Sequence, residues 1–173
     1  MFIPGAKVDP LAYASKLSGL AAEGITVVIT RPTLNLAYFD LRPFSAFTAE
    51  APGIGTWLVG GHSLGGVKAC ELAEDAAGLA LLASYCATDL ADSGLTVLSV
   101  AGREDGLSTP EKIDAARALL PDDAEMVQIE DAAHSSFGDY GLQPGDGTPT
   151  ISDAEMIARL TELVGAAAAS VAP

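Results

Sequence analysis

The sequence predicts an α/β fold: an open, mostly parallel sheet of about five to six strands with helices on both faces. Three observations lead there. Short apolar runs alternate with segments of helical character along the chain, the order that parallel sheets need for their crossovers. Most of those runs are apolar on both faces, as strands covered by two helix layers must be. The chain is 173 residues long and 49% hydrophobic, a length for one domain and a composition that fills one core.

Each element follows in order. Met1-Phe2-Ile3 is a short apolar start ending in the turn Pro4-Gly5. Asp9-Pro10 opens a helix running to about Glu23; proline suits a first helical turn, and Gly24 supplies the stop. Residues 25–30 (ITVVIT) read as a strand. Residues 34–50 are less regular, and Pro43 breaks or kinks any helix there. Residues 56–60 (TWLVG), 78–83 (GLALLA), 95–101 (LTVLSVA) and 125–130 (EMVQIE) are the remaining strands. Thr109-Pro110 opens a helix that Pro121 ends, and Ser152-Asp153-Ala154-Glu155 is a capping box opening the last helix. The Ala-rich stretch 164–173 is expected to fray at the end of a single domain spanning 1–173.

Charge narrows the partners. Nine Lys and Arg against 23 Asp and Glu leave a net charge of −14, which repels nucleic-acid phosphates and anionic lipid. No apolar run approaches the ~20 residues of a membrane span. MFIPGAKVDP lacks the basic and apolar regions of a signal peptide, so the expected location is cytoplasmic. Cys70 and Cys86 make neither a disulfide framework nor a zinc site, and read as small core residues. No cofactor or metal is expected. The edge at residues 25–30 is where a second copy would pair in a homodimer.

The chemistry centres on Gly61-His62-Ser63-Leu64-Gly65. This G-x-S-x-G stands between a predicted strand and a predicted helix, as a nucleophile elbow does. The turn is sharp enough for side chains two residues either side of the serine to collide, and glycine removes them. A serine nucleophile needs a base. His62 is its chain neighbour and points elsewhere, into a packing role under the turn. His134, just after the last strand, is the remaining candidate. Asp105, after strand 95–101, is the carboxylate expected to orient it, with Glu104 the nearest rival and Asp92 a weaker one. The order Ser63, Asp105, His134 leaves 42 and 29 residues between successive members (63 to 105, 105 to 134), room for βα units. The oxyanion donors are expected to be the N–H groups of Leu64 and Ala6, with Lys7 next after Ala6.

Taken together, Pro4-Gly5-Ala6-Lys7-Val8-Asp9-Pro10, Tyr13-Ala14, Gly61–Gly66, Leu81–Tyr85, Asp105–Ile113 and His134–Gly141 resemble the small serine α/β-hydrolases near the dienelactone-hydrolase-like group. The resemblance covers nearly the whole chain and implies Ser63 as nucleophile, Asp105 as acid and His134 as base. Dienelactone hydrolases carry cysteine where this chain has Ser63, so their substrate does not transfer. Family members also carry strands ahead of the oxyanion loop, whereas only Met1-Phe2-Ile3 precede it here. The expectation is an N-terminally reduced α/β-hydrolase fold without a cap domain, its first strand a stub between residues 25–30 and 56–60.

Two functions follow. The first is hydrolysis of a small carboxylic ester or thioester through a Ser-His-Asp triad, with residues 84–95 and 137–151 shaping the pocket. The second, motivated by the reduced start, is an inactive hydrolase fold kept as a binding or interaction module. A phosphate-binding role for residues 60–66 is disfavoured, because no Walker lysine pattern accompanies the glycines.

Overall fold

A computed structural model describes residues 1–172. Five strands, β1 (Phe2–Ile3), β2 (Leu58–His62), β3 (Gly78–Leu82), β4 (Thr96–Gly102) and β5 (Glu125–Ile129), form one sheet in the order β1-β2-β3-β4-β5. Every neighbouring pair is parallel. All five strands therefore end at one edge. The loops carrying Gly5, Ser63, Ser84, Asp105 and His134 leave from that edge, where open parallel sheets place their sites.

Side-chain alternation divides the core into two layers. Ile3, Val59, Leu79, Leu81 and Val97 point to one face, where they meet Phe44 and Phe47 of α2 (Phe44–Thr48) and Ala69 and Cys70 of α3 (Leu64–Leu72). Phe2, Leu82, Leu98, Val100 and Ile129 point to the other. There they meet Leu20 of α1 (Ser18–Ala22) and Met156, Leu160 and Val164 of α5 (Asp153–Ser170). A fifth helix, α4 (Pro110–Ala115), follows β4. The double layer explains why the central strands β3 and β4 are apolar on both faces over most of their length, whereas the edge strand β5 is largely exposed.

Four expectations need correction. Residues 25–30 are not a strand: only Ile29 makes a bridge, to Phe2. The local bonds run from Phe2 N–H to Val28 O at 2.7 Å and from Thr30 N–H to Phe2 O at 2.9 Å. β1 does lie between this segment and β2, but at two residues it has no backbone left to pair the rest. The expected helix from Pro10 is a 3-10 turn, Pro10–Tyr13, followed by α1. Tyr13 closes this turn and Lys16 lies just beyond it, both of them buried. The Ala-rich end is helical as far as Ser170, anchored by buried Val164 and Ala167. Finally, Cys70 and Cys86 are core residues but are joined in a disulfide. α3 and the loop after β3 lie on one face of the sheet and bring the two Cα atoms to 5.7 Å, inside the range a disulfide spans.

Helix starts match their sequence signals. Ser152 Oγ accepts from Glu155 N–H at 3.2 Å while Glu155 Oε2 accepts from Ser152 N–H at 3.1 Å, closing the capping box. Pro43 stands just before α2, and Gly24 ends its helix with φ 86°.

Candidate active site

Ser63 sits between β2 and α3 with φ 52° and ψ −126°, a conformation costly for a non-glycine residue. The surroundings over-determine it. Ser63 N–H donates to Leu82 O at 3.1 Å, and Ser84 Oγ donates to Ser63 O at 2.7 Å. A Cβ on Gly61 would overlap the carbonyl of Gly65, and one on Gly65 would overlap the carbonyl of Ile3. The two glycines thus let the β2–α3 turn close on itself and against β1, leaving Ser63 at the carboxyl edge.

His134 opens a 3-10 turn, His134–Phe137, shortly after β5, with Ser136 Oγ accepting from Ala133 N–H at 3.0 Å. Its Nδ1 lies 2.8 Å from Asp105 Oδ2. The carboxylate can only accept, so Nδ1 carries the proton and Nε2 is the free base. Asp105 Oδ1 accepts from Leu107 N–H at 2.7 Å and Ser108 N–H at 2.8 Å. Both side chains are buried. Asp105 is therefore the carboxylate that meets His134; Glu104 instead donates its N–H to Ala132 O at 2.9 Å and has an exposed side chain. Ser63 and His134 line a single cavity of about 280 Å³, without a direct hydrogen bond between them. Such contacts are often long before substrate binds.

Ala6 and Leu64 line the same cavity. Leu64 is the first residue of α3, so its N–H has no partner within the helix. Lys7 N–H is committed to Asn35 O at 2.7 Å, which leaves Ala6 as the available donor on that loop. Tyr85 and Gln143 complete the wall, one from each of the two loops expected to shape it.

His62 is buried beneath the elbow, as its chain position predicts. Gly5 N–H donates to the Tyr13 hydroxyl at 2.9 Å, which bonds His62 Nδ1 at 2.9 Å. Burial, together with the nearby His134 ring at 4.4 Å between centroids, lowers the His62 pKa well below its usual value. Burial likewise raises the Tyr13 pKa. Both groups are neutral props, and they fasten the residue next to Ala6. Sequence reasoning gave Tyr13 no role; its hydroxyl finds His62 only through the fold.

Asp146 was missed entirely. It accepts from the N–H groups of His134 at 3.0 Å and Ser135 at 2.9 Å. Burial pushes its carboxyl up, but the N–H groups of Ser135, His134 and Gly106 outweigh this and hold it below the usual carboxylate range. The only signal in the sequence is its flanking pair, Gly145 and Gly147. Among the described residues, no three His, Cys, Asp or Glu side chains gather to hold a metal.

Residues 1–158 match the model of the alpha/beta hydrolase family. The chain belongs to the alpha/beta hydrolase family. Its fold is shared with solved structures of low sequence identity. The esterase domain of a Rhodothermus marinus protein aligns with TM-score 0.68 at 15% identity, covering 95% of this chain and 83% of that one. A thermophilic esterase from Thermogutta terrifontis gives 0.64 at 16%, covering 98% and 89%. A monoacylglycerol lipase from Paleococcus ferrophilus gives 0.66 at 14%, covering 96% and 93%. No curated protein matches the sequence. No described helix is long and apolar enough to cross a membrane.

Proposed function

We propose that the protein is a serine hydrolase cleaving small carboxylic esters or thioesters. The observation that carries this reading is the buried 2.8 Å His134–Asp105 bond, whose imidazole opens into the cavity that Ser63 lines. Ser63 Oγ attacks the ester carbonyl carbon while His134 Nε2 takes its proton. Asp105 fixes the imidazole's tautomer and stabilises the imidazolium that forms. The N–H groups of Leu64 and Ala6 bind the tetrahedral oxyanion, each worth about 10²–10³ in rate. His134 then protonates the leaving alcohol or thiol, and water, activated by the same imidazole, releases the acid from Ser63.

Cavity size argues for a small acyl group. A volume of about 280 Å³ sits at the low end of ordinary ligand pockets, and the esterase and lipase neighbours fit the reaction class. The Cys70–Cys86 disulfide favours an oxidising compartment over the cytoplasmic location expected from the N-terminus.

Turnover of p-nitrophenyl acetate, butyrate and decanoate tests the reading. The expected result is a kcat/KM that falls from the short to the long acyl chain and is lost in Ser63→Ala and in His134→Ala. Wild-type-like turnover by Ser63→Ala would remove Ser63 from the mechanism. Folded wild type without turnover of any ester would favour the binding module instead.

A further inference from the structure

We propose that Asp146 is a positioning residue that locks the loop carrying His134 onto the loop carrying Asp105, and so sets the imidazole against its acid and its nucleophile. The role rests on the reading of Ser63 and His134 given above.

One carboxylate spans both loops. Asp146 Oδ1 accepts from His134 N–H at 3.0 Å, from Gly106 N–H at 3.3 Å and from Gly147 N–H at 2.8 Å. Oδ2 accepts from Ser135 N–H at 2.9 Å. Gly106 follows the candidate acid, and His134 is the candidate base. Between the two loops' own main chains the bonds stop at Arg103 N–H to Ile129 O and Glu104 N–H to Ala132 O, both 2.9 Å. Beyond that point, towards the cavity, Asp146 supplies the main-chain connection.

Packing points the same way. A Cβ on Gly147 would overlap the carbonyl of Glu104, and one on Gly106 would overlap the carbonyl of Gly145. Residues 145–147 thus lie directly on 104–106, backbone against backbone. From the same segment, the Tyr140 hydroxyl donates to His134 O at 3.0 Å. Asp105 spends its oxygens on Leu107 N–H, Ser108 N–H and the His134 ring, and makes no bond to the His134 main chain. Four N–H donors require an acceptor at both oxygens of residue 146. Asparagine offers one oxygen, and its amide would turn an N–H towards one of those donors.

The direct test is NMR of histidine-¹⁵N-labelled full chain, following the His134 Nδ1 proton held by Asp105. In wild type this proton is expected far downfield and protected from exchange. In Asp146→Asn it exchanges at least tenfold faster while circular dichroism stays native. In the same variant, ester kcat falls about 10–100-fold with KM within about twofold, the cost of a small misplacement of a catalytic group. Asp146→Glu, which keeps the charge, retains the signal with an intermediate rate. It serves as the comparison with wild type if the asparagine variant does not fold. Asp131→Asn, whose amide oxygen still accepts from Thr150 Oγ1, leaves both readouts unchanged. A purely structural clasp would lower Tm and leave the proton and kcat of folded protein as in wild type, and that result overturns the proposal. Loss of the proton signal in Asp146→Asn beside an inert wild type would instead overturn the hydrolase reading while sustaining the clasp.

Discussion

His62 is where the supports of the site converge. Its ring lies 4.4 Å from that of His134, its Nδ1 bonds Tyr13, and Tyr13 holds Gly5 beside Ala6. Under the proposed mechanism, removing the Tyr13 hydroxyl acts on the loop proposed to bind the oxyanion rather than on the proposed base. Tyr13→Phe is expected to lower ester kcat by about 10–100-fold, up to the worth of one oxyanion donor, with KM nearly unchanged. Steady-state kinetics with p-nitrophenyl acetate check this; a change confined to KM would place Tyr13 in substrate binding. Gly5→Ala acts at the same point, because a Cβ there would stand 2.8 Å from His62 Nδ1 and 3.0 Å from the Tyr13 hydroxyl. Ser63, Asp105 and His134 could be picked out as candidates because each is of a chemical type that ester hydrolysis needs and each follows a recognisable strand. Asp146 could not, because its work is done through main-chain N–H groups 40, 12 and 11 residues away, and no spacing rule connects them.

α3 begins directly after Ser63, and the disulfide ties it to the loop after β3 that also carries Ser84 and Tyr85. The bridge closes a short loop, with 16 residues of separation. Chain-entropy arguments value such a closure at about 3 kcal/mol. Cys70→Ala/Cys86→Ala is expected to lose roughly that stability, read as a lower urea midpoint. Thiol titration of unreduced, denatured protein should find no free thiol, and finding two would remove the bridge. This element-scale link was invisible in sequence, where two cysteines carry no pairing information. The strands were legible because two helix layers demand residues apolar on both faces. The segment 25–30 satisfied the same pattern and failed for a different reason: strand length is set by the partner, and β1 offers two residues. The Ala-rich end misled in the opposite sense. Alanine has the highest helix propensity, and burial of Val164 and Ala167 against α1 and the sheet carries α5 on to Ser170.

Across the whole molecule, stability couples to pH through a buried imidazole and two hydrogen-bonded carboxylates. His62 has its folded pKa depressed, mainly by burial. The unfolded chain therefore takes up a proton near pH 6.5 that the native state refuses, and stability falls as pH drops below that value, by up to about 1.4 kcal/mol per pH unit. Asp40, held down by the Arg42 guanidinium, and Asp146, held down by its N–H donors against the cost of burial, also have depressed values. Their contribution is present above the unfolded carboxylate range of about 4 and is lost as pH falls through the folded values. Burial also lowers the pKa of the Met1 amino group from 8.0 to about 5, so thermal unfolding is expected to weaken as pH falls from 8 to 5 and again below about 4, and His62→Asn should reduce the loss between pH 7 and 5. Unchanged Tm between pH 7 and 5 would mean that His62 is protonated, or exposed, in the native state.

The central claim is that Ser63 is a nucleophile activated by His134. Fluorophosphonate labelling, followed by mass spectrometry of the intact and digested chain, tests it without a guess at the substrate. One adduct is expected, on Ser63, lost in His134→Ala and in Ser63→Ala. No adduct on folded wild-type protein, or an adduct on another residue, would contradict it.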